Sequence, residues 1–269
     1  MRRAFKEKVV VITGAAGGLG AALSRRFAVA GAKLGLLDLN EMAVLGLARD
    51  LRLQGAECVA LGLDVTDEQA CRAALSLIAD RLGGIDVMIN NAGITHRSAF
   101  AHTRTYVFRK VMEVNLFGSI YCAQAALESL RSRKGQIIVI SSIAGFSPLL
   151  GRTGYAASKH ALHGLFESLR VELRRDGVGV LMVCPGFTRT NISHSALDGD
   201  GGITDHPQST VGKAAAPGDV AEAIYRAAEK NKRLLVLSTV GKLTRLMMKF
   251  SPALYERMMA YSLRSELER

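Results

Sequence analysis

Apolar runs alternate with amphipathic stretches along most of the chain. Lys8 to Thr13 is apolar, β-branched and stopped by glycines, which marks a buried parallel strand. Leu19 to Ala30 has helical spacing and ends at Gly31, and a second strand runs from Lys33 to Asp38. The pattern then predicts a helix near 40–54, a strand at 57–63, a helix at 67–82 and a strand at 85–89. One long helix near 103–131 follows, then strand 136–141, helix 154–175, strand 178–184, a helix near 217–229 and strand 233–237. Seven strands separated by helices predict an α/β fold over residues 1–237. It would be a single doubly wound domain with a parallel sheet and right-handed crossovers. The polar, Gly-rich stretch of about 191–213 predicts a long loop over a site.

Beyond residue 237 the period stays helical. Leu243, Leu246, Met247 and Phe250 share one stripe, and Leu254, Tyr255, Met258 and Met259 another. Ser251-Pro252 between them reads as an N-cap followed by proline at the first helical position. Residues 238–269 are therefore an amphipathic helical extension. From 221 onward there are ten Lys or Arg against five Glu. A basic amphipathic pair of helices can lie on an anionic membrane, cover a substrate pocket or face another subunit. An apolar stripe ordinarily packs on protein, which favours the last two.

Composition narrows the class. The 269 residues can bury a large core without staples. The four cysteines, Cys58, Cys71, Cys122 and Cys184, are far apart and make no CxxC or zinc spacing. They read as reduced core residues of a cytoplasmic protein. The basic N-terminus runs straight into a strand without a signal-peptide core, and no apolar run is long enough to span a bilayer. The net charge of +11 is scattered and not interleaved with aromatics, which argues against nucleic acid as a partner.

The candidate chemistry sits where strands end. Thr13-Gly14-Ala15-Ala16-Gly17-Gly18-Leu19-Gly20 joins the first strand to the first helix. Glycines let the backbone approach a pyrophosphate, and the helix N-terminus offers free N–H groups to the anion. The spacing of Gly14, Gly18 and Gly20 is GxxxGxG, not the commoner GxGxxG. Asp38 closes the second strand, where a carboxylate accepts from the adenosine ribose and repels a 2′-phosphate. Neither Gly17 nor Leu39 supplies a base for that phosphate, so NAD is preferred to NADP. The other reading of Asp38 is a cap on the next helix. Asp64 and Val65 end the third strand, and Asn90-Asn91-Ala92-Gly93 ends the fourth. Pro185-Gly186-Phe187-Thr188-Arg189-Thr190 closes the sixth, where backbone and hydroxyl groups can fix a carboxamide.

Tyr155 and Lys159, four apart, share one helical face. Making a phenol of pKa near ~10 useful as a base at neutral pH takes about 4 kcal/mol. A cation about 4 Å away supplies an amount of that order at an effective dielectric near 20. Ser142, after the fifth strand, is placed to bond a substrate oxygen. Asn115 is an amide in an apolar helical stretch and must find partners, at a kink, at a water or both. Phe146, Leu149, Phe187 and Ile192 flank these groups and are candidates for an apolar substrate wall. His96 follows the Asn-Asn-Ala-Gly turn and reads as a solvated loop histidine. His160 and His163 show no companions at ligand spacing, so no metal is expected.

In joint order and spacing these motifs resemble the short-chain dehydrogenase/reductase family over roughly residues 6–237. The resemblance implies a Rossmann sheet and an active tetrad of Asn115, Ser142, Tyr155 and Lys159. It also implies a homodimer or homotetramer paired through the helices near 103–131 and 154–175. Tyr155 would be the general acid/base for hydride transfer between NAD(H) and a secondary alcohol or ketone. Lys159 would also hold the nicotinamide ribose, and Asn115 would organise a water. The tail is similar to those of hydroxysteroid- and retinol-dehydrogenase-like members, which implies a lipophilic substrate. An NADP(H)-dependent carbonyl reductase and a non-catalytic dinucleotide sensor are the alternatives.

Overall fold

The seven apolar runs form one seven-stranded, all-parallel sheet in the order β3-β2-β1-β4-β5-β6-β7. The computed structural model describes residues 3–189, 195–205 and 214–262. The strands are β1 (Val9–Thr13), β2 (Lys33–Asp38), β3 (Cys58–Gly62), β4 (Val87–Asn90), β5 (Gln136–Ile140), β6 (Gly179–Cys184) and β7 (Leu234–Val236). Helices α1 (Gly18–Val29), α2 (Glu41–Leu53), α3 (Glu68–Leu82), α4 (Thr105–Met112), α5 (Gly118–Ser132), α6 (Thr153–Glu172) and α7 (Pro217–Glu229) make the crossovers. Helices α8 (Thr239–Phe250) and α9 (Pro252–Ser262) follow.

Because side chains alternate along a strand, each strand feeds two cores. Val10 and Ile12 of β1 join Leu23, Phe27 and Ile224 in the core under α1, α2 and α7. Val9 and Val11 join Ile78, Cys122 and Phe166 under α3, α5 and α6. Both faces are covered, which explains why β1 reads as a continuous apolar run. The order reverses at β1, with β2 on one side and β4 on the other. Such a switch leaves a crevice beyond the C-terminal ends of the strands.

The single helix expected near 103–131 is interrupted. Between α4 and α5 the backbone makes a π-turn over Glu113–Phe117, with Asn115 fully buried inside it. The expectation of widely separated cysteines also changes in three dimensions. All four thiols are free and buried, but Cys71 and Cys122 lie with their sulfurs 3.8 Å apart between α3 and α5.

Candidate active site

The crevice is a cavity of about 1120 Å³. It holds the glycine turn, Asp38, Ser142, Tyr155 and Lys159 in one wall system, with α8 and α9 along another side. The volume exceeds the ~300–1,000 Å³ usual for small-molecule pockets, which leaves room for a dinucleotide and a second ligand.

The nucleotide end is a cradle without side chains. Gly14 has φ of 62°, the left-handed region that other residues avoid. A Cβ on Gly20 would stand 2.0 Å from the Gly14 carbonyl oxygen. The turn therefore closes on the start of α1, and it does so only with glycine there. Thr13 fastens the turn to β4. Its hydroxyl accepts from Asn91 N and Ala92 N, both at 3.1 Å. The Asn91 amide donates to the carbonyls of Thr13 and Gly14, at 2.9 and 3.0 Å. Asn91 thus organises the turn as well as lining the cavity.

Asp38 does not cap α2; the Asn40 side chain does, accepting from Ala43 N at 3.0 Å. Instead one Asp38 oxygen accepts from Ala16 N in the glycine turn (2.9 Å) and the other from Asn40 N (3.0 Å). A carboxylate has about four acceptor sites, so capacity remains toward the cavity it borders. Asp64 accepts from the amide and hydroxyl of Thr66, and Val65 lines the cavity beside it. These groups fit an adenosine diphosphate half.

At the reacting end, Lys159 is buried and donates to the Ile140 carbonyl at 2.9 Å. Its Nζ lies 3.5 Å from where a Gly93 Cβ would stand, so it sits beside the Asn-Asn-Ala-Gly turn. Tyr155 and Lys159 face the same cavity, with Nζ 5.7 Å from the centre of the phenol ring. The expected acidification of the phenol is not present in the protein alone. Burial holds Tyr155 above its ordinary value, against an opposing hydrogen bond from Ser142 and the nearby charge of Arg152. Burial also pushes the Lys159 ammonium down to about 8. Desolvation outweighs the neighbouring charge in both cases.

Asn115 acts as a clasp. Its Oδ1 accepts from Ile94 N at 2.8 Å, and its Nδ2 donates to Ile94 O at 3.0 Å and to Ser158 Oγ at 2.9 Å. The amide ties the loop after β4 to α6, and the π-turn points it there. Its side chain does not line the cavity. Ser142 caps a short 3₁₀ turn by accepting from Ala144 N at 3.1 Å and faces the cavity.

Leu149 and Phe187 line the cavity, as do Pro185, Gly186 and Thr188. Phe146 does not. It turns back onto α6, edge-on to His163 with ring centres 6.3 Å apart, because the 3₁₀ turn rotates it away. Thr190 and Ile192 lie outside the described residues, as does most of the loop expected at 191–213. Its described part, 195–205, is held to the loop after β4. Leu197 N donates to Thr95 O at 2.9 Å, and Arg97 N donates to Leu197 O at 2.7 Å.

Two histidines differ from their sequence reading. His163 meets Glu167 at 3.0 Å and Cys184 Sγ at 3.5 Å, with burial pushing the Cys184 thiol up to about 12. No group of three His, Cys, Asp or Glu among the described residues is placed to hold a metal ion. His96 is fully buried, not solvated. Its Nε2 accepts from Gly154 N at 2.9 Å, at the start of α6, where Arg152 gives no side-chain cap. The imidazole thus satisfies one of the free amides of the helix that carries Tyr155. Nothing in the local sequence signals this contact.

Burial, followed by Arg152, holds His96 down to about 4. Above about pH 6.5 it is neutral in both folded and unfolded chains and confers no pH dependence. Between there and about 4 the unfolded chain takes up a proton that the native chain refuses, so stability falls as pH falls. The loss is expected to reach on the order of 3 kcal/mol. Denaturant midpoints of wild type and His96→Gln over this range should converge as pH falls. Parallel curves would show that His96 does not carry the effect.

The family model described as short chain dehydrogenase matches residues 8–200. This chain belongs to the short-chain dehydrogenase family, and it is an oxidoreductase acting on CH–OH groups. It is 36% identical over 274 residues to the cattle (Bos taurus) dehydrogenase/reductase SDR family member 7B, covering 99% of this chain and 84% of the relative. It is 33% identical to a dehydrogenase/reductase SDR family protein 7-like of Anopheles gambiae, covering 89% and 77%. Among solved structures, a short-chain dehydrogenase from Streptomyces avermitilis superposes with a TM-score of 0.81 at 28% identity, covering 96% and 98%. An alcohol dehydrogenase from Thermococcus sibiricus complexed with 5-hydroxy-NADP gives 0.75 at 26% identity, covering 87% and 97%.

Proposed function

We propose that this protein moves a hydride between NAD(H) and a secondary alcohol or ketone of a lipophilic small molecule, with Tyr155 as general acid/base. One observation carries the reading: Ser142, Tyr155 and Lys159 share a single cavity with the glycine turn and Asp38. The dinucleotide would lie on Gly14, Gly18, Leu19 and Gly20, with its ribose at Asp38 and its adenine beside Asp64 and Val65. Its nicotinamide end would meet Asn91, Ala92, Gly93, Pro185, Gly186 and Thr188. The bound nicotinamide supplies or accepts the hydride.

The chain's own groups handle the proton and the oxygen. In reduction the Tyr155 hydroxyl gives its proton to the carbonyl oxygen as that oxygen gains charge; in oxidation it takes the alcohol proton. Ser142 donates to the same oxygen. Lys159 keeps N–H groups free of Ile140 for a ribose hydroxyl, and its charge steadies the phenolate. Asn115 fixes the loop and helix that carry these groups. Leu149, Phe187 and the inner faces of α8 and α9 give the cavity an apolar side suited to a lipophilic substrate.

The preference for NAD rests on Asp38, with the exposed Leu39 next to it offering no positive charge. NADH is expected to bind at least tenfold tighter than NADPH in a fluorescence titration, and Asp38→Ser to erase most of that difference. Tighter NADPH binding by wild type would reverse the assignment. Turnover of a panel of lipophilic secondary alcohols with NAD tests the activity; binding of NADH without turnover of any would favour a dinucleotide sensor. We place the protein in the cytoplasm, since its four thiols are all free. We further propose a homodimer or homotetramer paired through α4, α5 and α6, which native mass would report.

A further inference from the structure

Helices α8 and α9 present two faces. Their inner residues, among them Met247, Tyr255 and Met259, line the cavity. Among the described residues nothing covers much of their outer face. On α8, Leu246 is 55% and Phe250 73% exposed; on α9, Leu254 is 51% and Tyr261 90% exposed. Single exposed apolar residues are ordinary, but a run of them on consecutive helices marks an interaction surface. On α8 a second ridge runs beside the apolar one: Lys242, Arg245 and Lys249, all exposed, three and four residues apart.

We propose that the outer face of α8 and α9 rests on the surface of an anionic phospholipid bilayer, with the cavity mouth turned toward the apolar layer. The ridges match the two layers such a surface offers, acyl chains for Leu246 and Phe250 and phosphate headgroups for the basic row. The helices have 12 and 11 residues, against the ~20 needed to span, so they lie in the plane of the surface. Among the described residues no helix is long and apolar enough to cross. A second copy is the poorer occupant, because two-fold pairing of this face would bring its basic row near its own image. The chain's net charge of +11 favours an anionic surface over a neutral one. The same two helices would then serve as wall and dock, so that a lipophilic substrate could pass from the lipid to the cavity. The docking itself depends on no particular chemistry at Tyr155.

The test uses the full chain and sedimented vesicles of phosphatidylcholine alone or with roughly a third phosphatidylglycerol. Wild type should pellet with the anionic vesicles, stay in solution with the neutral ones, and be released by high salt. Lys242→Gln with Lys249→Gln should weaken binding roughly tenfold or more. Leu246→Glu with Phe250→Glu should abolish pelleting while leaving NADH binding intact, since neither residue borders the cavity. Wild type remaining in solution with anionic vesicles would overturn the proposal. So would pelleting indifferent to both double variants, or a drop in native mass on the Leu246→Glu, Phe250→Glu change, which would assign the face to a second copy.

Discussion

Tyr155→Phe is expected to lower turnover by roughly 10²–10⁴-fold while leaving NADH affinity within about twofold, the usual scale for losing a positioned acid/base. The ring that fills the site stays, so the fold should survive; only the hydroxyl that meets Ser142 and the reacting oxygen goes. The direction of the Tyr155 shift adds a pH signature. Burial keeps the phenol protonated at neutral pH, ready to donate. Carbonyl reduction should therefore show no loss from Tyr155 ionisation between pH 6 and 8. Alcohol oxidation draws on the phenolate, and its kcat/KM should climb with pH toward the alkaline side. Steady-state profiles in both directions check this. A Phe variant that turns over normally, or an oxidation profile that falls with pH, would remove Tyr155 from the proton transfer.

Gly20→Ala should cost at least tenfold in dinucleotide affinity, through geometry and not charge. Its methyl would stand 2.0 Å from the Gly14 carbonyl oxygen and 2.9 Å from Ala15 Cα. Both are backbone, so the glycine turn itself must move, and overpacking of this kind costs about 1–3 kcal/mol. Alanine in place of helical glycine offsets part of that in stability, by about 1 kcal/mol, but none of it in binding. Gly46→Ala in α2 separates the two effects. Nothing lies within 4 Å of its added methyl, so it should stabilise the fold and leave NADH binding unchanged. Calorimetric titration with NADH and thermal unfolding of both variants give the comparison. Equal affinity for Gly20→Ala and wild type would show that the turn does not cradle the cofactor.

The sheet could be read from the chain because its evidence is local. Val9 to Ile12 is apolar and β-branched throughout and is followed by a helical period, and the later units repeat that alternation of apolar run and helical period. The glycine turn, Asp38, Tyr155 and Lys159 were likewise legible, each sitting at a strand end or on one helical face. What stayed hidden depends on distant partners. His96 caps a helix that starts some sixty residues later, and Cys71 meets Cys122 only because α3 packs on α5. The raised pKa of Tyr155 has a related reason: spacing reveals a cation one turn away but not how far burial opposes ionisation. Spacing also placed an apolar stripe on α8 without showing that the stripe is shared between a cavity and an uncovered surface.

The π-turn at Glu113–Phe117 sets the phase of a helix whose two ends face different neighbours. One surplus residue advances everything downstream by about a hundred degrees of rotation. That vernier lets α4 lie against α6 while α5 buries Cys122 and Ala126 beside α3. A regular helix of the same composition could align one end only. Length is therefore under tighter constraint than side-chain identity in this segment, and trimming a single residue would throw Asn115 off the loop and helix it binds together.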